Sequence, residues 1–225
     1  MKIIARIRTP YKEKFGIPRQ SGIADSIVSK IVFEPEYRRR EALVGLSGFS
    51  HLWLIWNFSE AEREEFSPTV RPPRLGGNKR VGVFATRSPY RPNPIGLSSV
   101  KLVSIEESKN EGTVLLVRGA DMLDGTPIYD IKPYLPFTDS HPDAKGGFAE
   151  EVFDYSLKVD FPSPLLLLIS EEYREPLVKI LSQDPRPSYK KGSGKEYGML
   201  FGDYEIFFTV KEDVLTVTRV KVLKP

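Results

Sequence analysis

The stretch FSHLWLIWNF, residues 49–58, decides the fold class of this chain. Its aromatic and β-branched side chains fit a pleated surface with one buried face, so it predicts the strongest β-strand of the sequence. Runs of similar character lie on both sides of it, at residues 1–8, 26–34, 81–85, 96–105, 113–118 and 126–131. Many short strands with little helix between them indicate a mainly β fold with an antiparallel β-barrel, and not a doubly wound sheet.

The character of the sequence changes after residue 132, where the Pro- and Gly-rich stretch PYLPFTDSHPDAKGG begins. Such a composition is typical of a linker or a functional loop. We therefore predict an antiparallel β-barrel domain at residues 1–138 and a small α+β domain at residues 139–225. The remaining expected elements are a short helix at 36–43, strands at 155–161, 204–210 and 214–223, a helix that begins at Ser163-Pro164 and a second helix that begins at Pro176.

The composition argues against several classes of site. The 225 residues include no cysteine, which excludes disulfides and thiolate metal sites, and only two histidines, too few to favour a histidine zinc site. The longest apolar run, residues 165–169, is far shorter than the roughly 20 residues of a membrane span. The N-terminal residues also lack the apolar run of a signal peptide. We expect a cytoplasmic protein without a metal ion or a membrane contact.

Residues 67–105, SPTVRPPRLGGNKRVGVFATRSPYRPNPIGLSSVKLVSI, contain seven basic residues and no acidic one. The prolines fix φ and exclude a long helix, while the glycines allow a close approach of the backbone. A run of like charge is often only a solvated surface, but such a surface does not need this rigidity. We therefore expect an anionic partner, and nucleic acid in particular, because Phe84, Tyr90 and Tyr189 offer rings on which bases can stack.

The sequence Asp124-Gly125-Thr126-Pro127 predicts a β-turn. It is also consistent with a loop whose backbone and Thr126 hydroxyl line a ligand pocket. Asp121, Asp124 and Asp130 surround it, and such carboxylates attract a cationic ligand. The chain has no G-x-G-x-x-G motif after a strand, so a Rossmann-type cofactor site is not predicted.

Six stretches of the sequence together resemble the TrmO family of tRNA methyltransferases: YKEKFGIPRQ, GFSHLWLIW, RPPRLGGNKRVGVFATRSPYRPNPIGLS, DGTP, DIKPYLPF and QDPRPSY. The resemblance implies a β-barrel domain that binds S-adenosyl-L-methionine, a smaller C-terminal domain and a homodimer with the cofactor site near the subunit interface. It also implies methylation of N6 of threonylcarbamoyladenosine at position 37 of tRNA, so that the partner is the anticodon loop.

The resemblance carries roles to individual positions of this sequence. The implied cofactor contacts are Pro18, Arg19, Gln20, Arg87, Leu97, Asp124, Gly125, Thr126 and Pro127, together with Ser59 and Glu60, which stand where bacterial members have His-Gln. The implied RNA contacts are Arg71, Arg74, Lys79, Arg80, Arg91, Lys190, Lys191 and Lys195. N6 of adenosine is a poor nucleophile, so catalysis would rest chiefly on positioning, and Asp124 or Asp130 is a candidate to accept its proton.

Two other functions remain open from the sequence. A non-catalytic RNA-binding barrel would need only the cationic stretch and would bind tRNA with a steep dependence on salt. An enzyme that uses the same cofactor on another substrate would share the cofactor residues. The pairing of IPRQ with DGTP favours a cofactor-dependent enzyme, because adhesion to RNA does not require it.

Overall fold

The computed structural model describes residues 1–61, 65–72, 75, 79–152, 155–186 and 194–223. The strands up to residue 133 are β1 (Ala5–Arg8), β2 (Val28–Phe33), β3 (His51–Asn57), β4 (Thr69–Val70), β5 (Val81–Gly82), β6 (Ile95–Ser108), β7 (Gly112–Arg118) and β8 (Pro127–Pro133). Six of them close an antiparallel barrel in the order β1-β2-β7-β6-β3-β8. The short strands β4 and β5 form a separate two-stranded ribbon. The predicted mainly β fold with a barrel is confirmed.

Strand β3 shows why this sequence forms a barrel. Successive side chains of a strand point to opposite faces, and Leu52, Leu54 and Trp56 are buried while the residues between them are more exposed. Gly96 of β6 lies opposite Trp56, and a Cβ atom on it would be 2.2 Å from the indole ring. The Trp56 side chain therefore fits only because its cross-strand neighbour is glycine.

The C-terminal part of the chain forms a second sheet with helices. Its elements are α1 (Pro136–Asp139), β9 (Lys158–Asp160), α2 (Ser163–Leu166), α3 (Glu171–Ser182), β10 (Tyr197–Phe201), β11 (Tyr204–Lys211) and β12 (Val214–Val222). The sheet order is β10-β11-β12-β9, and β9 is parallel to β12 whereas the other pairs are antiparallel. Helix α3 buries Leu177, Ile180 and Leu181 in a core that the sheet shares. The domain boundary near residue 138 stays a prediction.

The connection between β1 and β2 packs into this second core. Tyr11 is buried there, and Phe15 stacks on Phe208 with 6.1 Å between the ring centroids. Gly16 has a φ of 91°, and a Cβ on it would be 2.3 Å from the sulfur of Met199. A polar connection of the barrel is therefore also a structural part of the C-terminal domain.

Two predicted elements are wrong, and each has a physical reason. Residues 36–43 form two 3₁₀ turns, Pro35–Tyr37 and Arg40–Leu43, because neither turn buries a residue that would stabilise a longer helix. Helix α3 does not start at Pro176 but at Glu171, and it contains the proline. The apolar residues after Pro176 are buried, and this burial offsets the hydrogen bond that proline cannot donate.

Other elements differ in extent from the prediction. Residues 81–85 divide into β5 and a 3₁₀ turn at Val83–Ala85, because Val83 turns inward and is buried. The predicted strand at 155–161 is shorter, as β9. Strand β10 was not predicted, although its alternating burial is that of a strand with one face in the core. The helix at Ser163 is confirmed as the short α2.

Candidate functional site at one end of the barrel

The barrel topology gathers the predicted site residues at one end. Strands β1, β3 and β7 run towards this end, and β2, β6 and β8 start from it, as the pairs Arg118–Val28, Trp56–Gly96 and Arg6–Pro127 show. The three connections at this end are residues 9–27, 58–94 and 119–126. They contain every predicted cofactor residue except Leu97 and Pro127. Leu97 is the third residue of β6 and Pro127 is the first residue of β8, and both strands begin at this end.

A chain of polar contacts joins these connections. Arg87 donates a hydrogen bond from Nη1 to Oε1 of Gln20, so the second connection touches the first. Ser98 donates from Oγ to Oδ1 of Asp121 at 2.6 Å, and Trp56 donates from Nε1 to Oγ of Ser98 at 3.0 Å. Asp121 stands in the third connection, just after β7. Its carboxylate also faces the charge of Arg87.

Burial raises the pKa of Asp121 above the ordinary value for aspartate. The hydrogen bond from Ser98, the backbone bonds and the charge of Arg87 act in the opposite direction without cancelling the effect of burial. Tyr11 lies close enough for the charge of Asp121 to raise the pKa of its phenol, after burial, which is the largest cause. The Tyr11 hydroxyl is buried and has no hydrogen-bond partner among the described atoms. Sequence reasoning noted Asp121 only as one of several acids near the turn.

Arg19 connects this end of the barrel to the C-terminal domain. Its Nη2 donates to the backbone carbonyl of Asp184 at 2.7 Å. Asp184 follows α3 with a φ of 53°, and its buried carboxylate accepts two bonds from Arg186, at 2.7 and 3.0 Å, and one from Tyr155 at 3.0 Å. This carboxylate raises the pKa of the Arg186 guanidinium, chiefly through the hydrogen bond. Asp184 and Arg186 of the DPRPSY motif thus fix the backbone carbonyl that accepts the hydrogen bond from Arg19.

The DGTP stretch is a turn, as predicted. Gly125 has a φ of 80°, which favours glycine. Asp124 accepts the backbone N–H of Thr9 at 3.0 Å and pairs with Lys12 at 2.9 Å. The buried Thr126 hydroxyl donates to the carbonyl of Leu123 at 2.7 Å, so this hydroxyl serves the turn itself. Asp124 therefore fastens the third connection to the first.

Asp130 and Glu60, two further predicted site residues, each form an ion pair with a lysine. Asp130 in β8 pairs with Lys132 at 3.1 Å and accepts the N–H of the next residue. Glu60, in the turn with the exposed Ser59, pairs with Lys14 at 3.3 Å and also accepts from it through its carbonyl oxygen at 2.6 Å. Lys14 belongs to the first connection, so the structure brings Glu60 to the segment that carries Pro18 and Gln20.

An exposed apolar surface adjoins the site. Leu97 is 58% exposed and pairs with Ile55 across the β3–β6 ladder. Both residues line a shallow cavity of about 320 Å³, whose wall includes Trp53 and Asp139. Trp53 donates from Nε1 to Oδ2 of Asp139 at 2.8 Å, and this bond contributes to a lowered pKa of Asp139, after the backbone N–H of Leu135.

The predicted RNA contacts fall into three groups. Arg71, Lys79, Arg80 and Lys195 have exposed side chains. Arg91 has an internal role, because its Nη1 donates to the carbonyls of Val83 and Thr86 at 3.2 and 2.7 Å. The predictions for Arg74, Lys190 and Lys191 lie outside the described residues.

The described residues contain neither a metal-binding group of side chains nor a helix suited to span a membrane. No group of three or more histidine, aspartate or glutamate side chains there is arranged to hold a metal ion. No helix in that part of the chain is both long and apolar enough to cross a membrane.

The fold and the site define a two-domain protein with a closed β-barrel and, at one end of it, a polar cluster of Gln20, Arg87, Ser98 and Asp121. The connection of residues 58–94 at the same end carries the cationic residues from Arg71 to Arg91, called the cationic loop below. This chain belongs to the tRNA-methyltransferase O family: the family's N-terminal domain model matches residues 6–140 and its C-terminal domain model matches residues 157–223. The resemblance stated from the sequence motifs is therefore confirmed.

Curated relatives and solved structures agree with this membership. The chain is 42% identical over 217 residues to a tRNA (adenine(37)-N6)-methyltransferase of Escherichia coli K12, and the match covers 93% of this chain and 92% of the relative. It is 39% identical to a putative S-adenosylmethionine-dependent methyltransferase of Pseudomonas aeruginosa, with coverages of 90% and 89%. A crystal structure of TrmO from P. aeruginosa superposes with a TM-score of 0.78 at 33% identity, covering 98% of this chain and 95% of the other.

Proposed function

We propose that this protein uses S-adenosyl-L-methionine to methylate N6 of threonylcarbamoyladenosine at position 37 of tRNA. Family membership and the named relatives support the broader activity, an S-adenosylmethionine-dependent tRNA (adenine-N6)-methyltransferase. The single observation that carries the proposal is the meeting of three connections at one end of the barrel, where Arg87 is hydrogen-bonded to Gln20, Ser98 is hydrogen-bonded to Asp121, and the charge of Arg87 acts on Asp121.

The side chains at this end fit the cofactor by type. S-adenosyl-L-methionine has a positive sulfonium, an amino-acid end with both charges, and a flat adenine. The Arg87 guanidinium matches a carboxylate, the acids Asp121 and Glu60 match cationic groups, and the exposed Leu97 offers apolar surface. When bound, the cofactor supplies the methyl group. The proposed cofactor residues are Pro18, Arg19, Gln20, Ser59, Glu60, Arg87, Leu97, Asp124, Gly125, Thr126 and Pro127.

The residues of the chain would act mainly by positioning the adenosine and by receiving its proton. N6 is a weak nucleophile, so a fixed geometry relative to the donor contributes most of the rate. Asp124 and Asp130 were the candidate proton acceptors, but their carboxylates are engaged with Lys12 and Lys132. We add Asp121 as a candidate, because burial raises its pKa and a carboxylate with a higher pKa is a better base near neutral pH.

The RNA would meet the cationic loop beside this cluster. We propose that Arg71, Lys79 and Arg80 bind phosphates of the anticodon loop, since all three are exposed and arginine and lysine match phosphate. Lys195 is a proposed second contact from the C-terminal domain. The target base has to leave the stack to reach the cluster, as is usual for enzymes that modify a base.

We further propose a homodimer that completes the cofactor site, in the cytoplasm. The exposed Leu97 and the apolar cavity beside it support this arrangement, because a second subunit would cover them. Sedimentation at micromolar concentration measures the oligomeric state, and a monomer that is fully active would refute the shared site.

The decisive assay compares methyl acceptance by threonylcarbamoylated tRNA and by the same tRNA without the modification. We expect transfer to the modified tRNA alone. Equal transfer to both tRNAs would refute threonylcarbamoyladenosine as the required substrate, but it would still support methylation of adenine in tRNA. A protein that binds tRNA but neither binds the cofactor in calorimetry nor transfers a methyl group would be a non-catalytic RNA-binding barrel.

Two arginines of this loop test the division of labour between cofactor and RNA. We expect Arg87→Ala to weaken cofactor binding at least tenfold with little change in tRNA binding, because Arg87 contacts Gln20 inside the cluster. Arg80→Ala is the matched control, since its Nη1 contacts only the neighbouring strand at Thr69 among the bonds described. It should weaken tRNA binding and leave the calorimetric affinity for the cofactor unchanged. Equal effects of both variants on both ligands would contradict this division.

A further inference from the structure

Two phenylalanines are exposed in the connection of residues 58–94, one within the cationic stretch and one directly before it. Phe84 is 72% exposed and Phe66 is 54% exposed. Their rings lie nearly parallel, at 27°, with 6.3 Å between the centroids. Burial of large apolar side chains usually stabilises a protein, so a pair of aromatic rings exposed to solvent indicates a binding surface.

The backbone that carries Phe84 is fixed from several sides. The preceding residue, Val83, is buried, and its N–H donates to the carbonyl of Pro68 at 3.0 Å. The carbonyl of Val83 accepts bonds from Oγ1 of Thr86 at 2.8 Å and from Arg91 at 3.2 Å. This network holds the 3₁₀ turn, so the Phe84 ring is presented at a defined place instead of folding inward.

The charges around the rings indicate which partner would cover them. The guanidinium carbon of Arg91 lies 5.7 Å from the centroid of Phe84, within the range of a cation–π contact. Arg71, Lys79 and Arg80 are exposed in the same connection, whereas the sequence just before Phe66 contains Glu62, Glu64 and Glu65. A purely apolar partner would not use these cations, whereas a nucleotide combines a flat aromatic base with a negative phosphate.

We propose that Phe84 and Phe66 form a stacking platform for an unpaired base of the tRNA loop, next to the base that is methylated. This inference rests on the proposed function, because it presumes that the chain acts on tRNA. Stacking on an aromatic ring tolerates any base, so the platform fixes the position of the loop without selecting its sequence.

Binding of tRNA to Phe84→Ala, measured by fluorescence anisotropy over a series of salt concentrations, tests the platform. Loss of one stacked base lowers affinity by roughly 5- to 150-fold. The salt dependence should stay that of the wild type, because no phosphate contact is lost, whereas Arg80→Ala should reduce the slope by about one. Phe84→Trp keeps a ring and should retain most of the affinity. Phe137→Ala is the matched control, since Phe137 is 85% exposed outside this loop and should leave tRNA binding unchanged.

The other possible results contradict either the stacking platform or the proposed function. Wild-type binding by Phe84→Ala, or a loss that Phe137→Ala shares, would overturn the platform and leave the proposed function intact. Dissociation of a dimer by Phe84→Ala in sedimentation would identify a second copy of the chain as the partner of the rings and would also overturn it. A wild-type protein that binds no tRNA would overturn the proposed function, and the platform with it.

Discussion

Replacing Asp121 by asparagine separates the role of its charge from the role of its shape. Asparagine keeps an oxygen that can accept from Ser98, the hydrogen bond seen for the carboxylate. It removes the negative charge that faces Arg87. The change therefore tests whether the charge of Asp121 holds the contact between Arg87 and Gln20 for the cofactor.

The expected effect on stability is small. A neutral hydrogen bond is weaker than a charge-assisted one by about 1 kcal/mol, but the fold no longer has to bury a charge. Because the folded pKa of Asp121 is raised, its contribution to stability is present below the unfolded pKa and is lost as pH rises through the folded value. At pH 7.5 the two effects oppose each other, so Tm should stay within about 3 °C of the wild type.

The expected effect on the cofactor is large. The proposed cofactor would lose the carboxylate that matches its cationic groups, and a lost hydrogen bond to a charged group costs about 1.5–3 kcal/mol, which is about 10- to 100-fold in the calorimetric Kd. In the wild type the affinity should fall as pH is lowered towards the raised pKa of Asp121, and Asp121→Asn should lack this dependence. The exposed Asp143 provides a matched control, Asp143→Asn, with wild-type affinity. An unchanged Kd and pH profile in Asp121→Asn would refute the reasoning.

Two further substitutions test packing. Arg186→Leu leaves the carboxylate of Asp184, which is 1% exposed, without its guanidinium and should cost about 3–5 kcal/mol in urea unfolding; a loss below 1 kcal/mol would show that the pair is not structurally required. Gly96→Ala places a Cβ 2.2 Å from the ring of Trp56 and should cost about 1–3 kcal/mol, while Gly48→Ala, with no atom within 4 Å, should cost far less. Equal unfolding midpoints for the two glycine variants would contradict this packing.

The barrel could be predicted because its signals are local. Strand β3 is marked in the sequence by its run of aromatic and branched apolar residues, and Gly125 indicates the turn between β7 and β8. The signals for a short helix at 36–43 are equally local, but its residues are at most partly buried against the barrel core, and an isolated helix of that length is unstable in water. Local patterns therefore succeeded for the strands of the barrel and failed where the segment buries too little surface to stabilise a helix.

The second core could not be predicted from local patterns. Tyr11 and Phe15 look like parts of a polar loop, yet their partners Phe201 and Phe208 are about 190 residues later in the chain. The site shows the same limit. Motif resemblance indicated the connections that carry Gln20 and Arg87, whereas the central position of Asp121 depends on which strand ends are neighbours, and this is a property of the closed barrel.

The two domains are joined at the residues that the cofactor is proposed to use. The connection that carries Arg19 and Gln20 leaves the barrel, packs Tyr11 into the C-terminal core and returns to β2. Arg19 is then held by the carbonyl of Asp184, whose conformation with positive φ is stabilised by Arg186. A barrel alone would lack both constraints. The C-terminal domain therefore contributes to the geometry of the proposed cofactor site through the first connection.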